Sequence, residues 1–224
     1  MPSRYCDNNQ NLSHPCKNEI TKLLKLLNEI YSCLQRLNVF DTDNIPVWYI
    51  HIHKNVINVD NYFIRGNCFS VKGKKGIYLV VGNSCKLECD NKSNIIYIGG
   101  QREGEQSLVE RIEKFIIAIK TGKRNYHSGG AKIHDKVCNL EPIETCLYVI
   151  GFPLKDEHKD KVNKVEGCFQ EAYRLSKGRN PCFVDGTVKP DFNIFLIPPD
   201  DARRTIQFIL TTIDIFFRDC IQDC

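Results

Sequence analysis

The sequence predicts an α+β fold, a small central antiparallel β-sheet flanked by helices. Short β-branched and aromatic runs alternate with helical seams in a mixed order, and turn-forming stretches separate them. Unbroken apolar stretches are short runs such as residues 77–81 and 194–197, far too short for a membrane span, so no membrane partner is expected. With 42% hydrophobic and 26% charged residues in a chain of 224, there is enough apolar material for a core, and a disordered tail or collagen-like repeat is excluded.

The first element is a helix over residues 15–38. Ile20, Leu23, Leu27, Ile30, Leu34 and Leu37 step at helical spacing, with Pro15 placed to open the helix and Asn38 to close it. A seam this short docks onto its own domain or forms a dimer contact. Residues 46–60 alternate with period two, Trp48, Ile50 and Ile52 against Tyr49, His51 and His53, and continue through Val56 to Val59 as a hairpin. His51 and His53 share a face, which suits either an ordinary surface pair or a metal pair. Residues 76–81 and 94–100 are two more strands, separated by the polar stretch 82–93 and expected to pair antiparallel. Ser107 and Glu110 form a capping box for a helix over 108–121 ended by Gly122, with Arg111 on the margin of its apolar stripe. The glycine-rich basic stretch 123–136 is expected to be an irregular loop. Residues 146–150 form a buried strand, 159–177 a helix with Glu166 on the edge of its buried stripe, 192–197 a last strand, and about 201–221 a closing helix. The chain thus divides into an N-terminal helix and hairpin (1–69), a core (70–185) and a C-terminal strand-helix extension (186–224).

The N-terminus is polar and lacks the basic-then-apolar pattern of a secretory signal, so a cytoplasmic, reducing location is expected. The 12 cysteines are scattered through a chain large enough to need no covalent staples, and they read as reduced, mostly buried thiols. Cys85 with Cys89 and Cys220 with Cys224 have the spacing of zinc half-sites, but each lacks a second pair. The net charge of +4 is concentrated: Lys72, Lys74 and Lys75 lie together, and residues 120–136 carry Lys120, Lys123, Arg124, Lys132 and Lys136 against Asp135 alone. Two basic patches on a slightly acidic body suit a focused polyanion contact, or a solvated surface.

No P-loop, dinucleotide fingerprint, zincin helix or Gly-x-Ser-x-Gly elbow is present, which removes those enzyme classes. What remains is a tyrosine on each of two adjacent strands, an arginine one helix later, a His-Ser-Gly-Gly stretch at 127–130 and a glutamate on a further helix. Gly76-Ile77-Tyr78 followed by Tyr97-Ile98-Gly99, each in a strand, resembles the GIY-YIG nuclease superfamily, which cuts the DNA backbone with a divalent metal. The order of elements over roughly 70–185 fits the resemblance as well.

The resemblance implies that Tyr78 binds and activates the attacking water and that Tyr97 orients that water or the phosphate. It further implies that Arg111 faces the scissile phosphate, that Glu166 holds the metal, Mg²⁺ or Mn²⁺, and that Asn180 closes the site. Three features depart from the family. The loop 82–93 stretches the hairpin, Arg111 comes late after Tyr97 with Arg102 as a rival, and Phe115 stands where many members have His or Tyr. His127 is the candidate to supply that missing group, with Ser128 and the glycines beside it open to a phosphate. Lys72, Lys74, Lys75, Lys123 and Arg124 are the candidate DNA-binding cations.

The chemistry is coherent. Phosphodiester cleavage needs a nucleophilic water, charge neutralisation on the transition state and help for the leaving oxygen. A tyrosine of pKa about 10 needs about three units of help from a nearby cation to act as a base near neutral pH. One carboxylate suits Mg²⁺, and arginine's planar fork matches phosphate. The expectation is a Mg²⁺-dependent endonuclease of restriction type acting on double-stranded DNA as a homodimer. The alternatives are a structure-selective repair or recombination nuclease and a non-catalytic nucleic-acid-binding module.

Overall fold

A computed structural model describes residues 16–53, 56–63, 68–82, 87, 93–101, 107–139, 145–184 and 186–220. Helix α1 (Cys16–Leu37) leads into the hairpin β1 (Pro46–His53) and β2 (Val56–Phe63). A single turn, α2 (Cys68–Val71), precedes strands β3 (Gly76–Gly82) and β4 (Ile95–Gly100). Helices α3 (Leu108–Thr121) and α4 (Ser128–Asn139), strand β5 (Thr145–Pro153) and helices α5 (Val162–Lys177) and α6 (Pro199–Cys220) complete the order. The strands form one antiparallel sheet in the order β2-β1-β5-β3-β4.

The sheet is covered on both faces, which explains why its central strand β5 is largely apolar and buried at every position. Trp48, Ile50, Leu147 and Val149 pack toward Ile112, Phe115 and Ile116 of α3. Their neighbours along the strands, Val47, Tyr49, Tyr148 and Ile150, pack toward Ile30, Phe169 and Ile213 of α1, α5 and α6. The hairpin that the sequence assigned to an N-terminal extension continues the sheet of the core, because β1 pairs with β5 from Val47↔Ile150 to Ile52↔Thr145. No helix among the described residues is long and apolar enough to cross a membrane.

Two elements differ from expectation. The supposed loop 123–136 is helical from Ser128, where α4 begins, and its glycines serve contact. A Cβ on Gly130 would sit 2.5 Å from the Phe115 carbonyl, so the glycine lets α4 lie directly on α3. The supposed strand 192–197 is a 3₁₀ turn, Phe192–Ile194, followed by bends. The edge of β4 is already taken: Phe183 N–H donates to the Ile96 carbonyl (3.0 Å) and Gln170 Nε2 to the Ile98 carbonyl (3.3 Å). Phe192 and Phe195 instead insert into the core as side chains.

The sheet is tied to α6 by Asp214, which is 1% exposed. Its carboxylate accepts from Asn94 N–H (2.7 Å) and Ser93 Oγ–H (3.1 Å) at the start of β4 and pairs with Lys177 (2.6 Å) at the end of α5.

Cys33, Cys146 and Cys168 are reduced thiols, but Cys182 is disulfide-bonded, so the expectation of reduced cysteines fails there. Of the candidate zinc pairs, Cys85, Cys89 and Cys224 lie outside the described residues. His51 and His53 sit 6.3 Å apart between ring centres, and among the described residues no three His, Cys, Asp or Glu side chains converge on a common point.

Candidate active site on the edge of strand β4

Tyr78 pairs with Gly99 and Val80 with Tyr97 across β3 and β4. The two tyrosines are therefore diagonal neighbours on one face, and their rings stack at 5.8 Å and 28°. Both also touch Phe115, at 5.7 and 5.6 Å, and His127, at 6.3 and 5.5 Å. His127 packs edge-on against Phe115 at 5.0 Å. The imidazole thus occupies the space beside position 115, delivered from the start of α4.

His127 sits just before the first residue of α4 and caps it. Its carbonyl accepts from Ala131 N–H (3.0 Å) and its Nδ1 accepts from Gly130 N–H (3.3 Å). An Nδ1 that accepts holds a lone pair, so the neutral ring carries its proton on Nε2. That Nε2–H donates to Tyr78 Oη at 2.7 Å. Tyr78 is completely buried, with the Tyr97 ring stacked against its own. The imidazole thus holds the Tyr78 hydroxyl while packing edge-on against Tyr97 at 5.5 Å between ring centres.

Burial pushes the Tyr78 hydroxyl well above its ordinary value, and the charge of Arg111, which acts the other way, is too small to reverse this. Arg111 by itself therefore does not bring Tyr78 toward neutral pH. Lys74 contributes no such help, because its ammonium pairs with Asp156 (3.1 Å) and Asp41 (3.6 Å). Of the two tyrosines, Tyr97 is the one that lines the cleft.

The cleft, of about 500 Å³, runs along the β4 edge where the two helical layers meet. Tyr97, Arg111 and Ser128 line it from one layer; Asn163, Glu166 and Gln170 line it from α5. A strap containing Phe183, Val184, Gly186, Thr187 and Val188 forms the remaining wall. Arg111 has no acidic partner among the described residues, and its Nε is buried without a hydrogen bond. Glu166 Oε1 accepts from Gln170 Nε2 at 2.9 Å. Beside Oε2 stands Gly100, where a Cβ would come within 2.7 Å, so the glycine keeps room next to that oxygen.

One carboxylate and the Asn163 amide on the same wall of the cleft are a donor set that fits Mg²⁺. That ion keeps most of its waters and takes few protein ligands. Of the site residues predicted from sequence, Tyr78, Tyr97, Arg111, His127, Ser128 and Glu166 come together. Asn180 does not; it is absent from the cleft wall, and its Oδ1 is buried without a partner. Lys72, Lys123 and Arg124 are exposed, and Arg124 lies 3.8 Å from Asp135. Lys75 is half-buried, and Lys74 is a strut between α2 and the segment after β5 rather than a free cation. Asn163 and Gln170 were missed by sequence reasoning, although their spacing from Glu166 puts all three on one helical face.

Comparison of the chain with protein-family models, curated proteins and solved structures finds no match.

Proposed function

We propose that this protein is a metal-dependent DNA endonuclease of GIY-YIG type, hydrolysing phosphodiester bonds. The observation that carries the reading is the convergence of Tyr97, Arg111 and Glu166, from β4, α3 and α5, on one cleft backed by the Tyr78–His127 pair. Glu166, with Asn163 beside it, would hold Mg²⁺ or Mn²⁺, which when bound neutralises charge on the scissile phosphate. Arg111 offers its guanidinium to the same phosphate. Tyr97 faces the attacking water, with the Tyr78–His127 pair packed behind it. Ser128, at the start of α4, offers a hydroxyl to the phosphate backbone, and the exposed Lys123 and Arg124 extend the contact along double-stranded DNA.

Cutting both strands with one site per chain calls for two copies related by two-fold symmetry, which favours a restriction-type homodimer. The full burial of Tyr78 favours the competing reading of a non-catalytic DNA-binding module. Plasmid nicking with Mg²⁺ and with EDTA separates the two: metal-dependent nicking is expected, and its absence on linear, supercoiled and branched DNA would remove the enzyme reading.

A further inference from the structure

Gln170 is 2% exposed and uses both ends of its amide. Its Nε2 donates to Glu166 Oε1 (2.9 Å) one turn earlier and to the Ile98 carbonyl (3.3 Å) on β4. Its Oε1 accepts from Val188 N–H (3.1 Å) on the strap. One side chain therefore joins the candidate metal carboxylate, the tyrosine-bearing strand and the outer wall of the cleft. The strap can come this close because residue 167 is glycine; a Cβ there would stand 2.8 Å from the carbonyl oxygens of Val188 and Lys189.

A carboxylate that ligates a metal through one oxygen needs the other fixed, or rotation about its last torsion spreads the donor over many positions. Gln170 supplies that restraint. Because its amide is held at the far end by the strap, the restraint depends on the strap being docked.

We propose that Gln170 is a positioning residue that fixes Glu166 for divalent-cation binding and couples that carboxylate to the strap at Val188. The proposal rests on the nuclease reading of the cleft, since it takes Glu166 as the metal ligand. Partners that orient metal ligands are typically worth about 10–100-fold in metal affinity.

The test is Mn²⁺ titration of the full chain, followed by the loss of the free-ion electron paramagnetic resonance signal, with hydrogen exchange at the Val188 amide measured in parallel. Gln170→Met is expected to weaken Mn²⁺ binding about tenfold and to speed Val188 exchange while keeping the circular dichroism of the wild type. Gly167→Ala leaves Gln170 in place but drives a methyl into the strap; it is expected to speed Val188 exchange and weaken Mn²⁺ severalfold. It also carries the test should Gln170→Met fold poorly. Wild-type Mn²⁺ affinity in Gln170→Met would overturn the positioning role while leaving the nuclease reading intact. Faster Val188 exchange in Gly167→Ala with unchanged Mn²⁺ affinity would overturn the coupling to the strap. A wild-type protein that binds no Mn²⁺ would overturn the nuclease reading and this role with it.

Discussion

The two nitrogens of His127 serve two ends, one capping α4 and the other donating to Tyr78. The substitutions His127→Asn and His127→Ala separate them. Asparagine is a good N-cap, so His127→Asn should melt close to the wild type yet cut DNA about a hundredfold more slowly, because the donor to Tyr78 is gone. His127→Ala should lose the same activity and about 1 kcal/mol of stability in addition. Equal cutting by His127→Asn and wild type would show that the imidazole only caps the helix. At this scale the sequence was informative wherever a residue type carries its own chemistry. Tyr78, Tyr97, Arg111 and Glu166 were named from motif and order, and His127 from a missing group at Phe115. Gln170 and Asn163 were not, because an amide gains its meaning from neighbours that only the folded chain supplies.

Among the elements, α6 illustrates how a local pattern conceals a tertiary bond. Its apolar stripe was legible, but Asp214 on the same helix reads as an ordinary polar position until the fold places it against Ser93, Asn94 and Lys177. Asp214→Ala leaves a buried backbone N–H and a lysine without their acceptor. It should cost about 3 kcal/mol, seen as a lower midpoint in urea with an unchanged slope. A shift under about 0.5 kcal/mol, the range of ordinary surface substitutions, would show that water replaces the carboxylate there. Helix α4 is hidden in the sequence because Gly129 and Gly130 resemble loop residues, yet both are set by close approach: a Cβ on Gly129 would meet the Tyr97 ring at 2.6 Å. The 192–197 segment misleads for the converse reason. Its apolar residues suit a strand, but β4 offers no open edge to pair with.

For the whole molecule, the sheet covered on both faces buries groups that ionise only at high pH. Burial pushes the Cys168 thiol from near 9 up to about 12 and the Tyr173 hydroxyl from 10 up to about 12, and it also raises Tyr78. In the unfolded chain these groups ionise at their ordinary values, so their contribution to stability is fully present below pH 9 and is lost as the pH climbs through the window from 9 to about 12. The melting temperature should therefore decline above pH 9, with tyrosinate absorbance from Tyr78 and Tyr173 appearing only on unfolding; tyrosinate in the folded protein at pH 10 from either residue would contradict the packing. The α+β class and the order of the main elements were legible because hydrophobic period survives in a single sequence. That β1 joins the core sheet beside β5 was not, since strand partnership is a long-range property. The cleft at the β4 edge exists only once both helical layers are in place, and its assignment as a metal-dependent nuclease site is the central claim. Its most direct test is to measure cutting and DNA affinity of wild type and Glu166→Ala side by side in Mg²⁺. The account predicts that Glu166→Ala binds DNA as the wild type does and cuts at least about a hundredfold more slowly, the loss of several kcal/mol of transition-state stabilisation. Equal cutting by the two proteins would contradict it.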